Sequence, residues 1–418
     1  MKNQKRKYYL WVLGCQMNKA DSERLDAILT NGGWCQTTSE GQADLMVVVA
    51  CSVRQSAIDR IYGKAHQWQR RRKVGQLKTV LTGCVLAPDK KKMQALFDVL
   101  IDISEINNLP RLLGLNVANH EITDYLCLPA RHTSFFQAYV PIANGCNNFC
   151  SYCAVPYTRG REKSRSAISI IKECRNLVKQ GYKEITLLGQ NVNSYQSGSY
   201  DFPKLLKAVD KIVGDYRLTF MTSHPKDLSD DLIKVMANGD HITPYLHLAL
   251  QSGDRDILKK MNRHYTPEHF SGLIAKAKRA IPNLTVSTDV IVGFPSETKK
   301  QFNVTASLMR RLKFDMAYIV KFSPRPLTAA AKMKDNVPLE EKRRREKNLT
   351  AILKKTALAN NKKYLNQTVR VLVEGFSKDK CLGKTATLKT VIFTGDKKLI
   401  GKFFEVKIKK VDSWGLFG

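Results

Sequence analysis

The feature that most limits what this chain can become is a repeated alternation. Short, β-branched apolar runs take turns with longer stretches of helical periodicity. Strands separated by helices cannot pair as tight hairpins; each needs a crossover, and the helices must cover the sheet. In residues 1 to about 118 the runs are "YYLWVLG", "DLMVVVA", "LKTVLTG" and "FDVLIDIS". Between the first two, "ADSERLDAILTNGG" reads as a helix. Asp21 or Ser22 caps it, Leu25, Ile28 and Leu29 form its apolar face, and Gly32–Gly33 end it. The expectation for residues 1–120 is an α/β domain with a doubly wound parallel sheet.

The alternation then lengthens. Between about 134 and 330 strands are expected at "FFQAYVPIA", "EITLLGQ", "RLTFMTS", "YLHLALQ", "TVSTDVIVGF" and "MAYIVKFS", with helical patterns such as "SIIKECRNLVKQG" and "SDDLIKVMANG" between them. Six strand–helix units suit a partial or complete β/α barrel over residues 132–362. A second doubly wound sheet is the alternative, since periodicity alone does not decide closure. "LEEKRRREKNLTAILKKTALANNKKYL" reads as a long basic connector helix. After Asn366 the runs "TVRVLVEGF", "KTATLKTVIFTG" and "KFFEVKIKKV" predict a small antiparallel β-barrel over residues 363–418.

Charge narrows the partners. The formal net charge is +32, spread along the chain and concentrated at "RRRK" and "EEKRRREK". One such run reads as a solvated helix face, but a surplus of this size points to a polyphosphate, with nucleic acid ahead of an anionic membrane. The chain after Asn366 alone holds 11 Lys/Arg against 5 Asp/Glu, which favours a nucleic-acid-binding appendage. No run approaches the ~18–20 apolar residues of a membrane helix, and the N-terminus lacks the apolar core and cleavage site of a secretory signal. The expected location is therefore the cytoplasm. Ten cysteines in such a chain favour metal or thiol chemistry over disulfides.

Six of the cysteines fall into two trios. Cys15, Cys51 and Cys84 each follow the carboxyl end of an expected strand. In a parallel sheet those ends share one edge, where ligands bind. The three would converge, as ligands of an iron–sulfur cluster with one open iron or of a catalytic zinc. Cys146, Cys150 and Cys153 lie in "GCNNFCSYC", directly after the first barrel strand. A structural zinc would want a nearby fourth ligand, and the next candidate, Cys174, lies inside a helical pattern. Three thiolates would instead hold three irons of a 4Fe–4S cluster and leave the fourth open. Cys35, Cys127, Cys174 and Cys381 match neither pattern and read as structural.

At these residues the chain resembles a known family. C-x3-C-x2-C after the first strand of such a barrel is the pattern of radical S-adenosylmethionine enzymes. "GCNNFCSYCAVPYTRGREKSR", "EITLLGQNVNSY", "TSHPKDLSDDLI", "HLALQSGDRDILKKMNR", "TDVIVGFPSET" and "GKTATLKTVIFTGDKKLIGKFFEVKI" all resemble the MiaB-type tRNA methylthiotransferases, over essentially the whole chain. The resemblance implies an N-terminal methylthiotransferase domain, a radical SAM barrel and a C-terminal TRAM-type RNA-binding barrel. It implies two 4Fe–4S clusters, S-adenosyl-L-methionine as cofactor and tRNA as substrate. The reaction would place a methylthio group on C2 of N6-isopentenyladenosine at position 37 of tRNA. The barrel cluster would cleave the cofactor to a 5′-deoxyadenosyl radical. The other cluster would present the sulfur, which a second S-adenosylmethionine would methylate. Proteins that donate sulfur and electrons are implied, without identity.

An aromatic C2–H is neither acidic nor a leaving group, so a radical cofactor explains the lack of an evident acid–base dyad. Strand ends and the cysteine loop supply the remaining candidates, Tyr152 standing between the second and third ligands where the family pattern places an aromatic near the cofactor adenine. Tyr152, Gln190, Ser223, Gln251, Arg263 and Asp289 are assigned to cofactor binding, with Arg263 suited to a carboxylate. Asn191, Arg159, Arg161 and Arg165 are candidates for substrate or phosphate contact. The chain departs from the family pattern at Val49-Ala50 before Cys51, at Asn144 before Gly145 and at "VLAPDKK" after Cys84, so the surroundings of the N-terminal trio differ most. Two alternatives remain open at this point. One is a methylthiotransferase acting on another tRNA adenosine, such as threonylcarbamoyladenosine. The other is a non-catalytic, zinc-containing tRNA-binding protein.

Overall fold

A computed structural model describes residues 6–52, 55–115 and 124–418. The start of the basic lead and the expected boundary near residue 120 lie outside these residues. The N-terminal strands are β1 (Lys7–Val12), β2 (Cys35–Gln36), β3 (Leu45–Cys51), β4 (Lys78–Cys84) and β5 (Val99–Leu100). They form one sheet in the order β2-β1-β3-β4-β5, parallel throughout. Strand β3 is buried on both faces, which explains its unbroken apolar run. Helix Gln16–Asn31 packs with Leu45, Val47 and Val49 on one face, while helix Gln55–Lys73 meets Met46 and Val48 on the other. This is the expected doubly wound arrangement.

Local expectations need two corrections here. The first helix starts at Gln16 with Cys15 at its N-cap, so Asp21 and Ser22 are buried inside it rather than capping it. Of "FDVLIDIS", only Val99 and Leu100 join the sheet; Ile103–Asn108 turns into a 3-10 helix.

The central strands are β6 (Gln137–Pro141), β7 (Glu184–Leu188), β8 (Arg217–Phe220), β9 (Tyr245–His247), β10 (Thr285–Val292) and β11 (Met316–Lys321). They follow one another in parallel as two three-stranded ladders. Single bridges at Leu218–Ile242 and Ser223–Leu248 join β8 to the β9 segment. No ladder closes β11 onto β6 among the described residues, so the barrel is partial. Helix Leu339–Asn361 is more than a connector: Leu349, Ile352 and Leu353 are buried in the barrel's main core.

The C-terminal strands are β12 (Thr368–Ser377), β13 (Lys380–Thr385), β14 (Thr390–Phe393), β15 (Phe403–Lys407), β16 (Lys410–Val411) and β17 (Leu416–Phe417). They form a mostly antiparallel sheet in the order β15-β12-β13-β14-β17-β16 around a small core of its own. "KTATLKTVIFTG" is therefore the end of one strand, a turn and a second strand; "KFFEVKIKKV" also splits in two. Among the described residues no helix is long and apolar enough to cross a membrane.

Candidate functional site

The first trio gathers at the carboxyl edge of the N-terminal sheet. Cys51 and Cys84 end neighbouring strands and stand opposite each other in the ladder. Cys15 caps the helix that follows β1. Asn18 holds the loops together, donating to the carbonyls of Leu13 at 3.2 Å and Ala50 at 2.7 Å, while the Cys15 thiol points at its Oδ1 at 3.4 Å. Close approach requires Gly83, whose φ is +98° and whose place a Cβ would occupy 2.5 Å from the Ala50 carbonyl. Burial pushes the Cys84 thiol up to about 12, opposed by the Arg159 guanidinium.

The second trio sits on a loop folded back on itself. Gly145 has φ +86°, and a Cβ there would lie 2.2 Å from the Arg161 carbonyl. The Cys146 amide donates to the Gly160 carbonyl at 3.2 Å. The Asn148 and Val155 amides face the Cys146 and Cys153 sulfurs. Arg263 donates to the Cys150 sulfur at 3.5 Å and to the Ala249 carbonyl at 2.7 Å. Burial and the neighbouring Cys150 push the Cys153 thiol up to about 12. Thiols this buried hold their protons until a cation stabilises the thiolates, so loading with metal releases protons.

One side chain reaches from the helix after the second trio to a cysteine of the first. Arg159 ends the short helix Val155–Arg159 that follows the second trio. Its Nε donates to the Cys84 sulfur at 2.9 Å and its terminal nitrogens to Asp21 at 2.5 Å, Asn144 at 2.9 Å and the Tyr125 hydroxyl at 3.3 Å. The Arg159 and Asp21 side chains are 1% and 0% exposed. Burial disfavours the guanidinium charge, but Asp21 and Cys84 more than restore it. A second pair crosses the same boundary: Arg325 donates to Asp89 at 3.0 Å, and Asp89 accepts from Ser52, next to Cys51.

The barrel mouth receives the other candidates. The Gln190 carbonyl oxygen accepts the Gly145 amide at 2.7 Å, bracing the loop. Ser223 is 1% exposed and its hydroxyl has no partner. Gln251 is buried with φ +64°, and its amide donates to the Asp289 carbonyl at 2.8 Å. Asp289 bonds His247 at 3.0 Å, and His247 bonds Ser287 at 2.8 Å. Tyr152 is half-buried against Ile257, Met261 and Phe322.

Arg159 and Arg165, candidates for substrate or phosphate contact, turn inward. Both are buried, and Arg165 is paired with Glu173. Asn191 is likewise buried, donating to Asp227 and accepting from the His224 amide. Arg161 remains exposed, over the Phe149 ring. Sequence reasoning missed Asn18, Asp21, Tyr125 and His247. Asn18 and Asp21 left a trace, as polar residues close behind a cysteine; the other two left none.

The residues fit an iron–sulfur group on their donor chemistry: each site offers three thiols, with N–H groups aimed at several of the sulfurs. The orphaned Ser223 hydroxyl leaves a donor at the mouth for a bound cofactor. Among the described residues no three His, Cys, Asp or Glu side chains are gathered so as to hold a single metal ion.

Comparison with known proteins adds an independent observation. Residues 7–103 match the uncharacterized protein family UPF0004, residues 140–309 the radical SAM superfamily and residues 362–418 the TRAM domain. The chain is 40% identical to a protein of Clostridium botulinum (strain Langeland) named tRNA-2-methylthio-N(6)-dimethylallyladenosine synthase, across 98% of this chain and 96% of that one. Proteins of the same name from Clostridium tetani and Parabacteroides distasonis are 40% and 41% identical, over 100% and 99% of this chain and 97% and 95% of theirs. Among solved structures, the radical S-adenosylmethionine methyltransferase TsrM from Kitasatospora setae has a TM-score of 0.56 at 12% identity, covering 78% of this chain and 74% of that one. The cobalamin-dependent radical enzyme OxsB has a TM-score of 0.51 at 10% identity, covering 83% and 56%. These two share the fold.

Proposed function

The chain belongs to the family of tRNA methylthiotransferases named tRNA-2-methylthio-N(6)-dimethylallyladenosine synthase, and from that premise we propose that it methylthiolates C2 of N6-isopentenyladenosine at position 37 of tRNA. The observation that carries this reading is that Arg159, on the short helix directly after the second trio, bonds the Cys84 sulfur of the first trio across the domain boundary. Cys146, Cys150 and Cys153 would hold one 4Fe–4S cluster, and Cys15, Cys51 and Cys84 would hold a second. With S-adenosylmethionine, these groups supply radical chemistry and a seat for sulfur, which a C2–H bond requires.

The chain's own residues bind, orient and enclose. Gln190 and Gly145 fix the loop that presents the barrel thiolates. Arg263 is anchored by the Ala249 carbonyl and leaves one nitrogen directed at Cys150, where it favours the thiolate and lies within reach of a cofactor carboxylate. Ser223, Gln251, Asp289 and Tyr152 line the cofactor's place at the mouth. The substrate adenosine, unpaired in a loop, enters between the two sites at less cost than a base flipped from a duplex. The basic C-terminal sheet and exposed arginines such as Arg161 hold the phosphate backbone. Cytoplasmic sulfur and electron donors serve the clusters.

The test is expression in a host whose tRNA lacks the methylthio group, followed by nucleoside mass spectrometry. Appearance of 2-methylthio-N6-isopentenyladenosine supports the reading. Its absence, with protein present and iron bound, rejects it; a methylthio group on another adenosine would move the substrate instead.

A further inference from the structure

Between the two cysteine sites lies a buried charge cluster that the reaction as described does not require. Its centre is Arg159, whose guanidinium holds four partners from four segments: Asp21, Cys84, Tyr125 and Asn144. Asp21 lies on the helix capped by Cys15, and its other carboxylate oxygen has no partner. Asn144 immediately precedes the loop of the second trio and also donates to the Arg159 carbonyl at 3.3 Å. The residue after Arg159, Gly160, accepts the Cys146 amide. One end of this residue is thus built into the loop of one trio, and the other end touches a ligand of the other trio.

We propose that Arg159 is a positioning residue that couples the two sites, setting the electron affinity of the iron–sulfur group held by Cys84 and fixing its place relative to loop 145–153. The physical reason is a charge-assisted N–H···S contact in a dry environment. A donor on a ligating thiolate withdraws electron density from the iron, and a buried positive charge favours the more negative, reduced cluster. Asp21 partly cancels that charge. The two residues therefore act on the same cluster with opposite sign. A brace that only held the domains together would give no such opposition.

This inference rests on the reading that both trios hold clusters, and the experiment separates the two. Holoenzyme prepared without oxygen is first assayed for iron. Iron in only one site defeats the functional reading before the inference is tested. With both sites filled, the clusters are titrated electrochemically and followed by electron paramagnetic resonance. Adding S-adenosylmethionine distinguishes the barrel cluster's signal. Arg159→Gln is expected to shift the N-terminal cluster's midpoint potential downward, and Asp21→Asn to shift it upward. The barrel cluster, whose ligands Arg159 does not touch, is expected to shift less in both variants. Shifts of the same sign, no shift, or equal shifts of both clusters overturn the proposal. Should Arg159→Gln fail to retain iron, Asp21→Asn decides alone: an upward shift supports the proposal and any other result rejects it.

Discussion

The side-chain carbonyl of Gln190 accepts the backbone N–H of Gly145 at 2.7 Å, joining the end of β7 to the start of the cysteine loop. Gly145 is buried, so its amide has no ready access to water. Replacing Gln190 with Leu leaves that donor unpaired, at a cost of about 1–3 kcal/mol. The expected outcome is faster hydrogen exchange at Gly145 and looser iron binding in the barrel site. Unchanged protection of that amide would show that the bond does not brace the loop.

Two glycines allow the sites to be damaged separately. Gly145→Ala and Gly83→Ala each force a positive φ on a residue with a Cβ and place that Cβ against a carbonyl oxygen, at 2.2 Å and 2.5 Å. Iron analysis is expected to show Gly145→Ala losing the barrel cluster and Gly83→Ala losing the N-terminal one. Variants that both lose all iron, or both keep it, would contradict two independently folded sites.

The C-terminal sheet is docked through Arg217. This buried side chain on β8 pairs with Glu184 and with Glu374 of β12 at 3.1 Å, and donates to the Lys384 carbonyl at 2.9 Å. Arg217→Ala takes the arginine from both carboxylates, leaving Glu374 with Lys384 at 3.7 Å and Gln137 at 3.2 Å, and Glu184 with Gln137 at 3.0 Å; breaking a buried pair costs roughly 3–5 kcal/mol, and these remaining partners reduce it. Calorimetry is expected to show the C-terminal sheet melting as a separate, earlier transition. Adding Glu374→Gln should recover part of the loss, since it removes a part-buried carboxylate that has lost its arginine. A single unshifted transition in Arg217→Ala would place the docking energy elsewhere.

His224 gives a pH dependence with a defined sign. Burial, with help from the positive charges of Arg263, Lys226 and His264, lowers its pKa to about 2. It stays neutral when folded, its Nδ1 accepting the Lys226 amide at 3.2 Å. Unfolded, it takes up a proton below about pH 6.5. The unfolded state then binds more protons, so stability falls as pH drops from about 6.5 towards the folded value. Between pH 6.5 and 5 this one group costs about 2 kcal/mol, at ~1.4 kcal/mol per unit. Thermal melts of the iron-free chain should show that slope, and His224→Asn should flatten it. Parallel slopes in the two proteins would assign the dependence to other groups.

The sequence by itself determined the order of strands and helices and the cysteines at the strand ends, because both are local. Alternating apolar runs specify parallel strands, and a residue at a strand's end is placed once the strand is. Tertiary structure decided everything that depends on which side chains meet. Arg159 and Arg165 sit in a basic stretch and look like solvent-facing cations, yet both are buried. Charge in a sequence does not report burial, and the partners of Arg159 lie up to 138 residues away. The long basic helix looked like a spacer because its apolar residues are sparse, yet Leu349, Ile352 and Leu353 are buried in the barrel's main core. Contacts across domain boundaries are set by how finished domains dock, and no local pattern in the chain encodes that.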